Sequence, residues 1–474
     1  MIKPTSVSNR TTRAAISRRA FLKSVGTTGA VSALTLAGAT LSPTKTAAQV
    51  ATPGATTAGP FLPPKVKASS PIRIKWWNWH GWHTDTINKV AAEYKKLYDQ
   101  NVTLETTSYP DLFQGRAAIR TAVMGGAGPD LWSSFPGGDV VSTATSGIAL
   151  SYSKLFEEDP DWPRSFYPFV NSLFTVNDTV WSVTPIANAF ALWYNKGMFD
   201  KYRVNVPTTY EELKAAAEVF RGNGIIPVSL AGTVHADHMF IWFVNSLGYA
   251  NKMLQADLGN ASWMDPELVE AMKFVEDLGR ANMTPPGVLG IKEADALTLF
   301  ASGRTAMHFN GNWARTTLAK AKAPEMQLGF TMLPAAKAGA KQTAMGSVGI
   351  SLTINKNGKD QEIAKSIARF VSTGAGRALY CGGVGIPPSG PTSEAEAKQI
   401  ADAVNDPVWP ECVGVGAKVT GSRHVFTPTV EQQLIQAAGL VLSGKGKPEE
   451  VLAQVEATSR AAGKRDFTVP PWSR

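Results

Sequence analysis

Ile72-Arg73-Ile74-Lys75-Trp76-Trp77-Asn78-Trp79 leads, four residues on, into Thr84-Asp85-Thr86-Ile87-Asn88-Lys89-Val90-Ala91-Ala92-Glu93-Tyr94-Lys95-Lys96-Leu97-Tyr98, and then into Val102-Thr103-Leu104-Glu105-Thr106. In the first stretch Ile72, Ile74 and Trp76 alternate with Arg73, Lys75 and Trp77, a period of two that suits a strand. In the second, Ile87, Val90, Ala91, Tyr94, Leu97 and Tyr98 recur at helical spacing, and Thr84 is placed to cap the helix. Val102, Leu104 and Thr106 alternate again. The reading is strand, helix, strand.

Working outward, 112–124 reads as a second helix, and Gly125–Pro129 as a turn into a short strand from Asp130. Thr208-Thr209-Tyr210-Glu211 has the form of a capping box that opens a helix to about Phe220. Asp265-Pro266 supplies a cap and a first-turn proline for a helix to about Arg280. Ile350, Leu352 and Ile354 form a strand, and Asp360 opens a helix with Ile363, Ile367, Phe370 and Val371 inward. The fold class is α/β, with parallel sheets expected to be covered on both faces.

The chain has 474 residues, 44% hydrophobic and 18% charged, an ordinary globular balance that implies two to four domains. Its net charge of +9 is uneven: Lys3, Arg10, Arg13, Arg18, Arg19, Lys23 and Lys45 fall within residues 1–48, which hold no acid. Most of the basicity belongs to that segment, so it gives no argument for a nucleic-acid partner, which would need a basic stripe on a folded face. Two cysteines, Cys381 and Cys412, exclude a disulfide-dense scaffold and a four-thiolate zinc site, and leave a single bridge open. No apolar run approaches the ~18 residues of a membrane span.

Ser17-Arg18-Arg19-Ala20-Phe21-Leu22-Lys23, followed by a Gly- and Ala-rich run from Val25 to Ala39, matches the twin-arginine export signal. Residues 1–48 therefore read as a signal peptide, with small-residue cleavage sites after Ala39 and after Ala48. Residues 49–69 read as a flexible leader. The expected location is the periplasm, without stable membrane insertion.

Several motifs of the mature region, taken in order, resemble the extracellular solute-binding proteins of ATP-binding-cassette (ABC) importers, in the sugar-binding, maltose-binding-protein-like group. They are Trp76-Trp77-Asn78-Trp79, Gly128-Pro129-Asp130-Leu131-Trp132, Val180-Trp181-Ser182-Val183-Thr184-Pro185 and Leu192-Trp193-Tyr194-Asn195-Lys196. Pro207-Thr208-Thr209-Tyr210-Glu211-Glu212-Leu213 departs from the family pattern by Tyr for Trp. Phe300-Ala301-Ser302-Gly303-Arg304-Thr305-Ala306-Met307, with Asn310-Gly311-Asn312-Trp313, completes the series. The resemblance covers nearly all of 70–465. It implies the two-lobed periplasmic binding protein fold (type II), with discontinuous lobes, a hinge and a central cleft. Lobe 1 is expected at 70–185 and 347–388, lobe 2 at 186–346 and 389–466, and a tail at 467–474. The crossings are expected near Pro185–Asn188, Ser347–Ile350 and Ile386–Gly390. It also implies a monomer that binds a solute, delivers it to ABC permease subunits, catalyses nothing and needs no cofactor.

A sugar site needs aromatic platforms for C–H faces and polar groups for hydroxyls. Trp79, His80 and Trp82 follow the first strand, where open α/β sheets bind ligands, although Trp76, Trp77, Trp79, His80, Trp82 and His83 could all simply pack. Trp313 aligns with the family's ligand-stacking tryptophan. Asn310 and Asn312 flank it or cap the next helix. Ser134 and Phe135 follow the Asp130 strand, Asn188 and Ser347 sit at crossings, and His238 and Trp242 share a helix. These candidates include no carboxylate or cation, so a neutral sugar or polyol is the expected ligand; Arg423-His424 is a late loop without a place. For enzymes the sequence offers little. His235-Ala236-Asp237-His238 has no third metal ligand nearby, Gly439–Lys445 lacks the Ser or Thr of a phosphate loop, Gly382-Gly383-Val384-Gly385 is a plain loop, and no G-x-S-x-G elbow occurs. No metal is expected.

Overall fold

β1 (Ile72–Asn78) and β2 (Val102–Ser108) pair in parallel, Ile72 opposite Val102 and Asn78 opposite Ser108, joined by helix Thr84–Leu97. Ile74 and Trp76 are buried while Arg73 and Lys75 face solvent, as the alternation requires, and the Trp76 indole donates to the Ser351 carbonyl at 3.2 Å. The computed structural model describes residues 68–109, 112–422 and 425–471. The export signal, most of the leader, Arg423-His424 and the end of the tail lie outside the described residues.

β3 (Leu131–Trp132) lies parallel on the other side of β1, and a hairpin of β4 (Thr175–Val176) and β5 (Thr179–Val180) follows. Next come β6 (Asn188–Asn195), β7 (Ile226–Leu230), β8 (Thr305–Gly311), β9 (Leu328–Thr331) and β10 (Met345–Ser347), then β11 (Thr353–Ile354) and β12 (Gly421–Ser422). The first sheet has the order β11-β3-β1-β2. The second runs β12-β10-β6-β8-β7, with β9 also on β6.

The expectation of parallel pairing holds for β1, β2 and β3 and, in the second sheet, for β7 with β8 and β10 with β12; it fails for β11, which is antiparallel to β3, and for β6. β6 is antiparallel to β8, β9 and β10. β6 enters its sheet straight from a chain crossing with no helix before it, and antiparallel pairing requires no crossover connection. Residues 189–193 of β6 are wholly buried, so both faces of this strand are covered.

Local start signals were displaced by small amounts. Thr84 does not cap its helix: a 3-10 turn at Gly81–His83 runs directly into it, and the Thr84 hydroxyl donates to the Gly81 carbonyl at 2.7 Å. The capping box is formed by Thr209 and Glu212, one residue later than Thr208 and Glu211, and opens helix Tyr210–Gly222.

Three chain segments cross side by side between the sheets. Ile186 bridges Pro388 and Val183 bridges Leu352. Ala187 N–H donates to Pro387 O at 2.8 Å, and Ser389 N–H to Pro185 O at 2.9 Å. Helix Glu394–Val404 packs on helix Gly374–Val384, and Arg377 reaches Glu396 at 2.8 Å. Cys381 and Cys412 are both free and buried, and the Cys381 thiol donates to Pro185 O.

Candidate functional site

The C-terminal end of β1 delivers Asn78, Trp79 and His80 in succession to the region between the two sheets. The Asn78 carboxamide oxygen accepts from His80 N–H at 2.8 Å and from the Ser108 hydroxyl at 3.2 Å, which fixes the turn after the strand. Trp79 packs edge-on against Phe135 at 6.0 Å, and the Arg116 guanidinium covers the other ring at 4.6 Å from the Phe135 centroid. His80 stacks on His83 at 4.7 Å, and His83 Nδ1 shares a 2.5 Å hydrogen bond with the Tyr380 hydroxyl. Trp82 lies edge-on to His83 and is 53% exposed.

β6 and β10 face this group from the crossings. Asn188 and Ser347 are directly opposed in the antiparallel pair, so their side chains share one face. A Cβ built on Gly349 would lie 3.0 Å from His80 Nε2 and 3.3 Å from Asn188 Nδ2, which sets both side chains around one backbone point. Five buried polar atoms here have no hydrogen-bond partner in the protein: Asn78 Nδ2, Trp79 Nε1, His80 Nε2, Asn188 Oδ1 and Ser347 Oγ. An unmet buried polar atom costs about 1–3 kcal/mol. Five around one junction single it out as the candidate site.

Burial holds the His80 imidazole down to about 4, against the opposing pull of the Gly349 backbone. His83 is lowered by burial and by its neighbour His80. Both rings are neutral at pH 7.

The second sheet contributes an aromatic and carboxylate group. Two residues beyond Asn188 on the same strand face, Phe190 lies 4.7 Å from His238 and 6.2 Å from Trp313. Trp313 Nε1 donates to Glu293 Oε1 at 3.2 Å, and Asn310 Nδ2 reaches the same oxygen at 3.3 Å. The indole lies so close over Gly311 that a Cβ there would fall 1.8 Å from it, so only glycine fits before this tryptophan. Trp313 is partly buried and its ring plane is fixed by Glu293.

Several expected contacts are otherwise engaged. Trp242 is a core residue: it is 0% exposed, stacked on Phe243 at 4.3 Å, and its indole donates to Pro334 O. Ser134 is buried, its hydroxyl shared with Thr143 and Thr353. Asn312 uses its carboxamide on Ala187 O and Ala189 N–H, holding the first crossing, and Asn310 accepts from Gly311 N–H. His238 pairs with Asp237 at 2.8 Å behind Phe190, and Phe135 supports Trp79. Trp79, His80, Asn188 and Ser347 come together with unmet atoms; Trp82 and Trp313 offer ring surface.

The candidates themselves carry no charge, but Glu293 stands beside Trp313 and Arg116 behind Phe135. Glu293 is an ordinary first-turn acid of helix Glu293–Ala301 and carried no sequence signal. Asn78 was legible as the polar residue ending a strand. Among the described residues no group of three or more His, Cys, Asp or Glu could hold a metal, and no helix is long and apolar enough to cross a membrane.

The profile of the bacterial extracellular solute-binding proteins matches residues 80–378. The multiple sugar-binding protein of Streptococcus mutans is 24% identical over 346 residues, covering 72% of this chain and 78% of that one. Among solved structures, a solute-binding protein in complex with raffinose superposes with a TM-score of 0.66 at 19% identity, over 82% of this chain and 99% of that chain. An ABC transporter solute-binding protein from Thermotoga lettingae bound with α-D-tagatose gives 0.66 at 22% identity, over 83% and 99%. The chain belongs to the bacterial extracellular solute-binding proteins, the non-catalytic substrate-binding components of ABC importers, and has their two-lobed type II fold.

Proposed function

We propose that the protein captures a neutral sugar or polyol between its two lobes and delivers it to the transmembrane subunits of an ABC permease. The observation that carries this is the set of unmet buried polar atoms on Asn78, Trp79, His80, Asn188 and Ser347, gathered where the first sheet meets the crossings. These are amide, indole, imidazole and hydroxyl groups, matched to sugar hydroxyls, with the neutral His80 among them. Trp313 supplies apolar ring surface from the other lobe for C–H faces, with the fully buried Phe190 packed behind it. The related proteins that hold raffinose and tagatose support the ligand class.

In this reading the lobes are built around the two sheets, and the three crossings form the hinge. The chain is exported through the Ser17–Lys23 signal and works as a monomer in the periplasm. A thermal-shift screen of the mature protein against neutral mono- and oligosaccharides, polyols, uronic acids and sugar phosphates tests the ligand class. Stabilisation by neutral members is expected. Stabilisation by the anionic members alone would overturn it.

A further inference from the structure

Arg116, on helix Leu112–Met124 of the first lobe, is 8% exposed and makes three kinds of contact at once. Its Nε donates to Asp139 at 2.6 Å on its own lobe, and Arg120 approaches the other oxygen of that carboxylate at 3.2 Å. Its guanidinium lies over Phe135, the ring that supports Trp79. Its Nη2 reaches Glu431 at 3.8 Å, and Glu431 sits in the first turn of helix Pro428–Leu442, which packs on the second lobe's helices.

The backbones meet at the same rim. A Cβ on Gly138 would lie 2.5 Å from Pro428 Cγ and 3.2 Å from Phe426 O, so the starts of helices Gly138–Thr145 and Pro428–Leu442 abut. Val140, Phe426, Ala250 and Leu254 share one apolar cluster beside this contact.

We propose that Arg116 is a positioning residue that couples lobe closure to the ligand platform, backing Phe135 and Trp79 on one lobe while clasping Glu431 on the other. This rests on the reading that ligand sits between the lobes. Asp139, on the same lobe, keeps the guanidinium in place beside Phe135 whether or not Glu431 is near. Closure then adds the Glu431 carboxylate to a preset cation. Closure thereby acquires an ionic component although the ligand is uncharged, and added salt, which screens the separated charges, favours the open form.

Small-angle X-ray scattering of the mature protein without added ligand, at low and at high sodium chloride, reads closure directly. The wild type is expected to expand as salt rises. Glu431→Gln should show the expanded radius of gyration already at low salt and little further response, a shift of roughly five-fold in the open-to-closed ratio for the loss of one ion pair. Glu431→Asp should restore the salt response. Gly138→Val, which wedges the rim sterically, should be expanded at every salt concentration. A wild type indifferent to salt, or a Glu431→Gln protein that matches the wild type throughout, overturns the clasp. Because no sugar is present, these results stand apart from the ligand screen: a salt-responsive clasp in a protein that no neutral sugar stabilises would keep this inference and remove the sugar reading.

Discussion

Trp242 and Trp313 show what a single residue type can and cannot reveal. Both are candidate ligand contacts by sequence, yet one is sealed against Phe243 and Pro334 while the other is half-buried beside Glu293. Trp242→Ala is therefore expected to cost about 3–5 kcal/mol of folding stability, read by chemical denaturation. Trp313→Ala should leave most of that stability in place. The histidines add a pH dependence. His80 and His308 are held by burial at about 4, below the ordinary 6.5 of the unfolded chain, and His83 is lowered in the same direction. Between these values the unfolded chain binds protons that the folded one refuses, so stability falls as pH drops from about 6.5 toward 4. Asp257, raised by burial to about 6, works the other way, its folded form taking a proton early. Three histidines against one aspartate leave a net loss on acidification. Denaturation at pH 7, 5.5 and 4.5 should show a shallower fall for His308→Gln than for the wild type; an equal slope would mean that His308 titrates normally in the fold.

At the scale of elements, the strand–helix–strand order around β1 was legible because a period of two and a period of 3.6 follow from which side chains are buried, although Thr84 is not the cap and Leu97 is 48% exposed. Helix boundaries were legible to within two residues, and the cap slid by one to Thr209 and Glu212, since a capping motif repeated in adjacent threonines can slide. The antiparallel setting of β6 was not legible, because a buried strand has the same apolar text in either direction. Nor was the role of Asn312. Nothing local distinguishes an asparagine that binds a sugar from one that clamps a backbone 125 residues away. Its carboxamide satisfies Ala187 O and Ala189 N–H at the first crossing, and both are buried. Asn312→Ala should lower stability by about 1–3 kcal/mol by leaving these groups unmet. Denaturation midpoints check this, and an unchanged midpoint would contradict the clamp.

For the whole molecule, family resemblance and motif order carried the two-lobed fold, while the inner make-up of the site depended on contacts far apart in sequence. Gly349 near His80, and Glu293 beside Trp313, are examples that no local pattern announces. The cysteines follow the same rule: thirty residues separate them, and the fold buries each in its own surroundings. Burial also raises both thiols far above their ordinary value, so they should resist alkylation in the native protein and give two labelled sites after denaturation without reductant. A protein with no labelled sites after that treatment would carry a bridge.

The central claim is that a neutral ligand is held between the lobes with Trp313 as its ring platform. Calorimetric titration of the neutral sugar or polyol giving the largest thermal shift, into wild type and Trp313→Ala, tests it most directly. The account predicts saturable one-site binding by the wild type and an affinity lower by about 30- to 1,000-fold in the variant, the loss of about 2–4 kcal/mol typical of a buried aromatic anchor. Equal affinities for the two proteins would contradict it.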